Sequence, residues 1–221
     1  MKRAVLSILL VVVPLLPVSA WRILYAEQYY RLYHETLHHY PEDTMEDIEY
    51  LELALKADFA PFANPLYALA TIHNATEWER YRYLFYMHVN LKLISLYLTL
   101  GSKYDKMMAY FYNYPWKRQN LESLDTAEKI YRVAYGYWTD AQKWSAMAWD
   151  MQDLHLPEVQ EWEDENFRVQ SGDLNYRDII DAQLARLEKV RSDFQKLDQH
   201  TYSLSLRDYR ISIASPNEKN L

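Results

Sequence analysis

The 221-residue chain has no cysteine. That absence removes disulfides, thiolate metal sites, a cysteine nucleophile and any lipid carried on a cysteine at a leader junction, so stability must come from packing. Glycine is nearly as scarce, with only Gly101, Gly136 and Gly172 present. Three glycines cannot supply the positive-φ turns of a many-stranded sheet or the phosphate-cradling loops of a nucleotide site. Basic residues are in deficit, 24 against 31 acidic ones, and a surface of that sign repels nucleic acid and anionic lipid. What is abundant is apolar surface, half of all residues, which suffices for a core in one or two domains. Helices joined by short polar links fit this composition, and the expected class is all-α.

The N-terminus carries the three regions of an export leader. Met1-Lys2-Arg3 is basic, Ala4 to Leu16 is an apolar run interrupted at Pro14, and Val18-Ser19-Ala20 places small residues where a signal peptidase cuts. Residues 1–20 are therefore read as a signal peptide cleaved after Ala20, which puts the remainder in the periplasm. If the leader were kept, it would be the membrane contact of the chain, at the lower limit of length for a spanning helix.

Periodicity predicts helices along the rest. Tyr25, Tyr29, Leu32, Tyr33, Thr36 and Tyr40 recur at spacings of three and four over residues 21–40. Thr44 with Asp47 resembles a capping box ahead of the stripe Met45, Ile48, Leu51, Leu55 and Phe59. Thr76 with Glu79 does the same before Tyr81 to Leu100, a run apolar on nearly every side that requires cover all round and so predicts a central helix. His88, Asn90 and Lys92 inside it argue against a membrane span. Ala127, Ala134, Ala141 and Ala148 recur every seven residues within 121–151, a small-residue stripe suited to close helix approach, while Gly136 and Thr139-Asp140 leave open whether this is one helix or two. Residues 157–173 are acidic and turn-like and are read as a linker. Tyr176, Ile180, Gln183, Leu187, Val190, Phe194 and Leu197 then alternate four and three, the 3.5-residue period of a coiled-coil seam. Beyond residue 200, Leu204, Leu206, Tyr209, Ile211 and Ile213 alternate as a strand does.

One motif points to catalysis. His34-Glu35-Thr36-Leu37-His38 spells HExxH, in which two histidines one turn apart bind zinc and the glutamate activates water. With Tyr25 at 0°, however, His34 and His38 fall at about 180° and 220°, opposite the tyrosine stripe. Only 13 residues of the mature chain precede His34, too few for the sheet that flanks such a helix in zinc proteases. A solvated face is the reading, with no metal, cofactor or catalytic residue assigned. The 21 tyrosines admit a periplasmic sugar- or peptide-binding module, since tyrosine offers flat apolar area with a polar tip. Their simpler use is to fill seams between stacked helices.

Ala26-Glu27 with Tyr30-Arg31 is echoed by Ala127-Glu128 with Tyr131-Arg132, a spacing of 101 residues close to three tetratricopeptide periods. The block Trp21 to Gly101, including Trp21-Arg22-Ile23-Leu24-Tyr25 and the run Glu79 to Leu91, resembles a group of spirochaete periplasmic proteins with tetratricopeptide-like repeats, several of them components of the collar around the periplasmic flagellar motor. The resemblance implies a non-enzymatic scaffold whose partners are other periplasmic proteins of a larger assembly. The chain departs from the ordinary repeat in lacking its turn glycines and in its nearly all-apolar helix. The expected architecture is an irregular α-solenoid of stacked hairpins over residues 21–156, the acidic linker 157–173, an amphipathic helix over 174–200 and an extended tail over 201–221. Leu187, Val190, Phe194 and Leu197 are the candidate partner-binding stripe; the alternative is that they pack on the chain's own body.

Overall fold

A computed structural model describes residues 22–40, 42–62, 67–106, 113–151 and 153–199. The leader and the strand-like tail expected at the two ends lie outside the described residues. Those residues form six α-helices and no strand: α1 (Ala26–His39), α2 (Thr44–Lys56), α3 (Ala75–Ser102), α4 (Lys117–Trp149), α5 (Gln160–Ser171) and α6 (Tyr176–Lys196). The fold is all-α. Each of the first four helices packs against the next, α5 also touches α3, and α6 lies on α4. This pattern of contacts with first and second neighbours is compatible with stacked helical hairpins. No described helix is long and apolar enough to cross a membrane.

α2, α3 and α6 start where backbone N–H groups find side-chain acceptors, in two cases one or two residues before the predicted boxes. Asp43, not Thr44, caps α2 by accepting from the Glu46 N–H at 3.3 Å. Asn74, not Thr76, caps α3, accepting from the N–H groups of Thr76 (3.0 Å) and Glu77 (2.9 Å), while Glu77 accepts from the His73 N–H at 2.8 Å. Glu77 thus reaches back one residue further than in a capping box, to the residue before the cap. Asp47, freed from the capping role, is buried. Its carboxyl is pushed up to about 6, by burial first and then by Asp43 and Glu46.

α3 is covered on several sides as its composition requires: Tyr81, Leu84, Phe85, Met87, Val89, Leu91, Leu93 and Ile94 are all buried. α4 is one helix of 33 residues. Its seven-spaced alanines are fully buried, and Tyr97 of α3 stacks on Tyr137 of α4 with ring centroids 5.4 Å apart. Tyrosines thus fill the seam, and both hydroxyls donate to Glu52 of α2, at 2.7 and 2.8 Å.

Two readings of the sequence are corrected. The segment 157–173 is no linker: after a 3₁₀ turn at Pro157–Val159 it forms α5, which buries Trp162, Glu163 and Asn166. Its acidity hid a four-three spacing of Trp162, Asn166 and Val169, and Gly172 ends it in a left-handed conformation, φ 84°. The stripe Leu187, Val190, Phe194 and Leu197 is no free docking face. It is closed within the chain, packed with Leu124, Ala127 and Tyr131 of α4, because α4 presents a small residue where α6 must approach.

Candidate functional site

α3 is apolar around most of its circumference yet carries Arg80, His88, Asn90 and Lys92. Buried polar groups must find partners, and three of these four find theirs on α5. Arg80 is 2% exposed. Its Nε donates to Glu163 Oε1 at 3.2 Å, one Nη reaches Glu163 Oε2 and the other the carbonyl of Ala148 at the end of α4. Glu163 Oε1 also accepts from the Leu156 N–H at 3.1 Å. A guanidinium fork of this kind ties three segments at fixed angles, which a lysine does not.

Two turns further along α3, His88 is fully buried with its ring stacked on Trp162 at 5.1 Å. Nδ1 lies 2.5 Å from Glu165 Oε2, and Nε2 lies 2.7 Å from the hydroxyl of Tyr30 on α1. The same hydroxyl lies 2.9 Å from His34 Nε2. Lys92 Nζ donates to Glu161 at 2.7 Å and to Glu165 at 3.3 Å. One cluster therefore joins α1, α3 and α5.

Burial pushes the Tyr30 phenol well up, so it remains a neutral hydroxyl. His34 is held below its ordinary value, first by partial burial and then by His88. Burial opposes the Lys92 ammonium, but the neighbouring Glu165 and Glu161 outweigh it and hold its pKa above the ordinary range. Glu161 is lowered chiefly by its hydrogen bond from Lys92. His88, Glu161 and Glu165 have ligand atoms within 4.8 Å of one another, the spacing of a metal-binding trio. The Lys92 ammonium already bonds to both carboxylates and supplies the positive charge there.

The HExxH residues are divided by this arrangement. Glu35 and His38 are exposed, and the rings of His34 and His38 lie parallel at 6.4 Å. His34 does not point away from the core: the buried residues of α1 are Ala26, Glu27, Gln28, Tyr30, Tyr33 and Thr36, so Tyr33 and Thr36 of the predicted stripe are inside while the arc is rotated toward Tyr30, and His34 sits at its edge. Tyr40, expected inside, is 68% exposed, and Tyr30, expected outside, is 4% exposed. Counting tyrosines as core overlooked that Ala26 allows close approach and that a buried phenol needs an acceptor such as His88. The sequence signal that pointed to the cluster was the polar trio on α3 itself.

The family described as a domain of unknown function, DUF8513, matches residues 76–197, more than half of the chain. The chain belongs to the DUF8513 family. The match runs from the first turn of α3 to the residue after α6, so it contains Arg80, His88, Lys92 and their partners on α5. No curated protein and no solved structure matches the chain.

Proposed function

We propose that this DUF8513 protein is a non-enzymatic, exported scaffold that acts through protein–protein contacts in the periplasm, as a structural component of the collar around the flagellar motor. The observation that carries the contact surface is the corner between α1 and α2, where Leu37, Tyr40 and Met45 are 37%, 68% and 60% exposed. Large apolar side chains in such exposure mark contact sites more than they contribute to the chain's own stability. Tyr40 lines an open groove of about 550 Å³ together with His39, Glu42 and Asp43. With Glu46 nearby on α2, the rim is acidic, which suits a partner presenting an apolar patch edged with lysine or arginine. The interior ionisable groups Arg80, Glu163, His88, Glu165 and Lys92 bond to one another across helix seams, a use that favours rigidity over chemistry. The collar assignment draws on the likeness of the Trp21 to Gly101 block to spirochaete periplasmic repeat proteins.

The test is a Tyr40→Ser/Met45→Ser chain expressed in place of the native one, with flagellar motors imaged by electron cryotomography. The reading expects a folded, exported protein by circular dichroism and fractionation, together with loss of collar density matching that of a deletion strain. Intact collars in the deletion strain would refute it.

A further inference from the structure

We propose that His34, Tyr30, His88 and Glu165 form a hydrogen-bonded proton relay that makes the hold of α1 on α3 and α5 weaken at mildly acidic pH. The arrangement has a direction. With both histidines neutral, His88 Nδ1–H donates to Glu165, the Tyr30 hydroxyl donates to His88 Nε2, and His34 Nε2–H donates to the Tyr30 oxygen. Every proton has an acceptor over the observed 2.5, 2.7 and 2.9 Å separations. One added proton, taken up at His34 Nδ1, reverses the two links nearer solvent: the His34 Nε2 proton passes to Tyr30 and the Tyr30 proton to His88 Nε2, so that His88 Nε2–H then donates to Tyr30, Tyr30 donates to His34 Nε2, and His34 keeps its proton on Nδ1. A second proton breaks the pattern: both imidazolium rings then donate to the one phenol oxygen, and the phenol proton faces no acceptor.

The relay runs from solvent to core. His34 is exposed, Tyr30 is 4% exposed and His88 is fully buried. The charged and titratable groups around the pair are Tyr33 and His38 from α1, Lys92 from α3, and Glu161 and Glu165 from α5. Lys92 bonds to both carboxylates and so offsets part of the negative charge that would otherwise welcome a second imidazolium. His34, depressed by burial and by His88, binds its proton less readily folded than unfolded. Its contribution to stability is therefore complete above the ordinary 6.5 and is lost as pH falls through the depressed folded value. The slope is at most about tenfold in the open-to-closed ratio of α1 per pH unit for each proton taken up. Because Tyr40 and Leu37 lie on or beside α1, the relay also sets when the proposed contact corner is held in place, although the relay is measurable without any partner.

The experiment follows amide hydrogen exchange of α1 and α4 in the purified full chain between pH 7.5 and 5, with NMR titration of His34 and His88. The wild type is expected to lose protection in α1 ahead of α4 as pH falls. His34→Gln keeps a donor to Tyr30 but takes up no proton, so it should match wild type at pH 7.5 and lose less α1 protection at pH 5. Tyr30→Phe, which keeps the ring packing, should uncouple the two histidine titrations. Equal acid sensitivity of wild type and His34→Gln, or unchanged histidine titrations in Tyr30→Phe, would overturn the relay. So would added zinc that restores α1 protection at pH 5 and is abolished by Glu161→Gln, an outcome assigning the cluster to metal instead.

Discussion

The same substitution at two helical glycines is expected to have opposite signs. Gly136 is exposed in the middle of α4, and a Cβ built there meets no atom within 4 Å. Gly136→Ala should therefore add only the helix-propensity gain, about 1 kcal/mol, or roughly 3 °C in Tm for a chain of this size. Gly101, in the last turn of α3, is buried, and a Cβ there falls 2.3, 2.6 and 3.0 Å from Cε1, Cδ1 and Cζ of Tyr131. The ring has nowhere to retreat. It is 1% exposed, and its hydroxyl donates to Asp105 at 3.0 Å, a carboxylate that also holds Arg186. Overpacking costs about 1–3 kcal/mol, and parting the buried Tyr131 hydroxyl from Asp105 about 1–3 more. Less the propensity gain, Gly101→Ala should lose about 3 kcal/mol, or roughly 6–12 °C in Tm. Thermal and urea unfolding of the two variants beside wild type measure both. If Gly101→Ala melts level with Gly136→Ala, the close approach of α3 and α4 at Tyr131 is wrong.

Two further substitutions probe the polar seams. Glu163→Gln keeps the shape but leaves the Arg80 guanidinium buried without a counter-charge, at a cost of about 3 kcal/mol or more, whereas the paired Arg80→Met/Glu163→Leu chain should unfold within about 2 kcal/mol of wild type in urea. At Glu52, burial works to raise the carboxyl, but hydrogen bonds from Tyr97 and Tyr137, with Lys56 beside it, hold it below the ordinary 4.5. The stability it contributes is thus present above that value and lost as pH falls through the folded one. Acid titrations of unfolding should show the wild type ahead of Glu52→Gln at pH 7 and the two converging below pH 4.5; a gap that widens on acidification would contradict the assignment.

What the sequence makes legible is periodicity, and what it hides is the identity of the surface each stripe meets. The four-three spacing from Tyr176 to Leu197 correctly marks the buried face of α6, with Ile180, Leu187, Val190, Phe194 and Leu197 all inside. Spacing alone does not say whether such a seam closes on another protein or on Leu124, Ala127 and Tyr131 in a distant stretch of the same chain. Ala127, the first alanine of the α4 repeat, held part of that answer, since it packs with the α6 stripe, while Ala134, Ala141 and Ala148 serve the main core. On α1 the error was one of phase. Setting the stripe through Tyr25 and Tyr29 left Tyr30 and Glu27 on the far side, yet Glu27 is buried where its carboxylate accepts the Ala60 N–H at 3.0 Å, and Tyr30 is buried where His88 receives it. The acidic stretch 157–173 failed for a different reason, because charge was read as solvation when three of its glutamates are the counter-charges of α3.

That failure also explains what sets the register of the core. Apolar contact is non-directional and scales with area, and α3 offers apolar area on most sides, so its stripes distinguish poorly between neighbouring arrangements of α5. The ionic pairs distinguish them well. Sliding α5 by one turn would set Val159 or Phe167 against Arg80, and Val169 or Glu161 against His88. A guanidinium 2% exposed and left without its carboxylate costs about 3–5 kcal/mol, comparable to a large share of a domain's whole stability. Arg80 with Glu163 therefore fixes the pairing of α3 and α5 within the DUF8513 region. α1 packs on the surface that this pairing sets, where His88 presents the acceptor that Tyr30 requires.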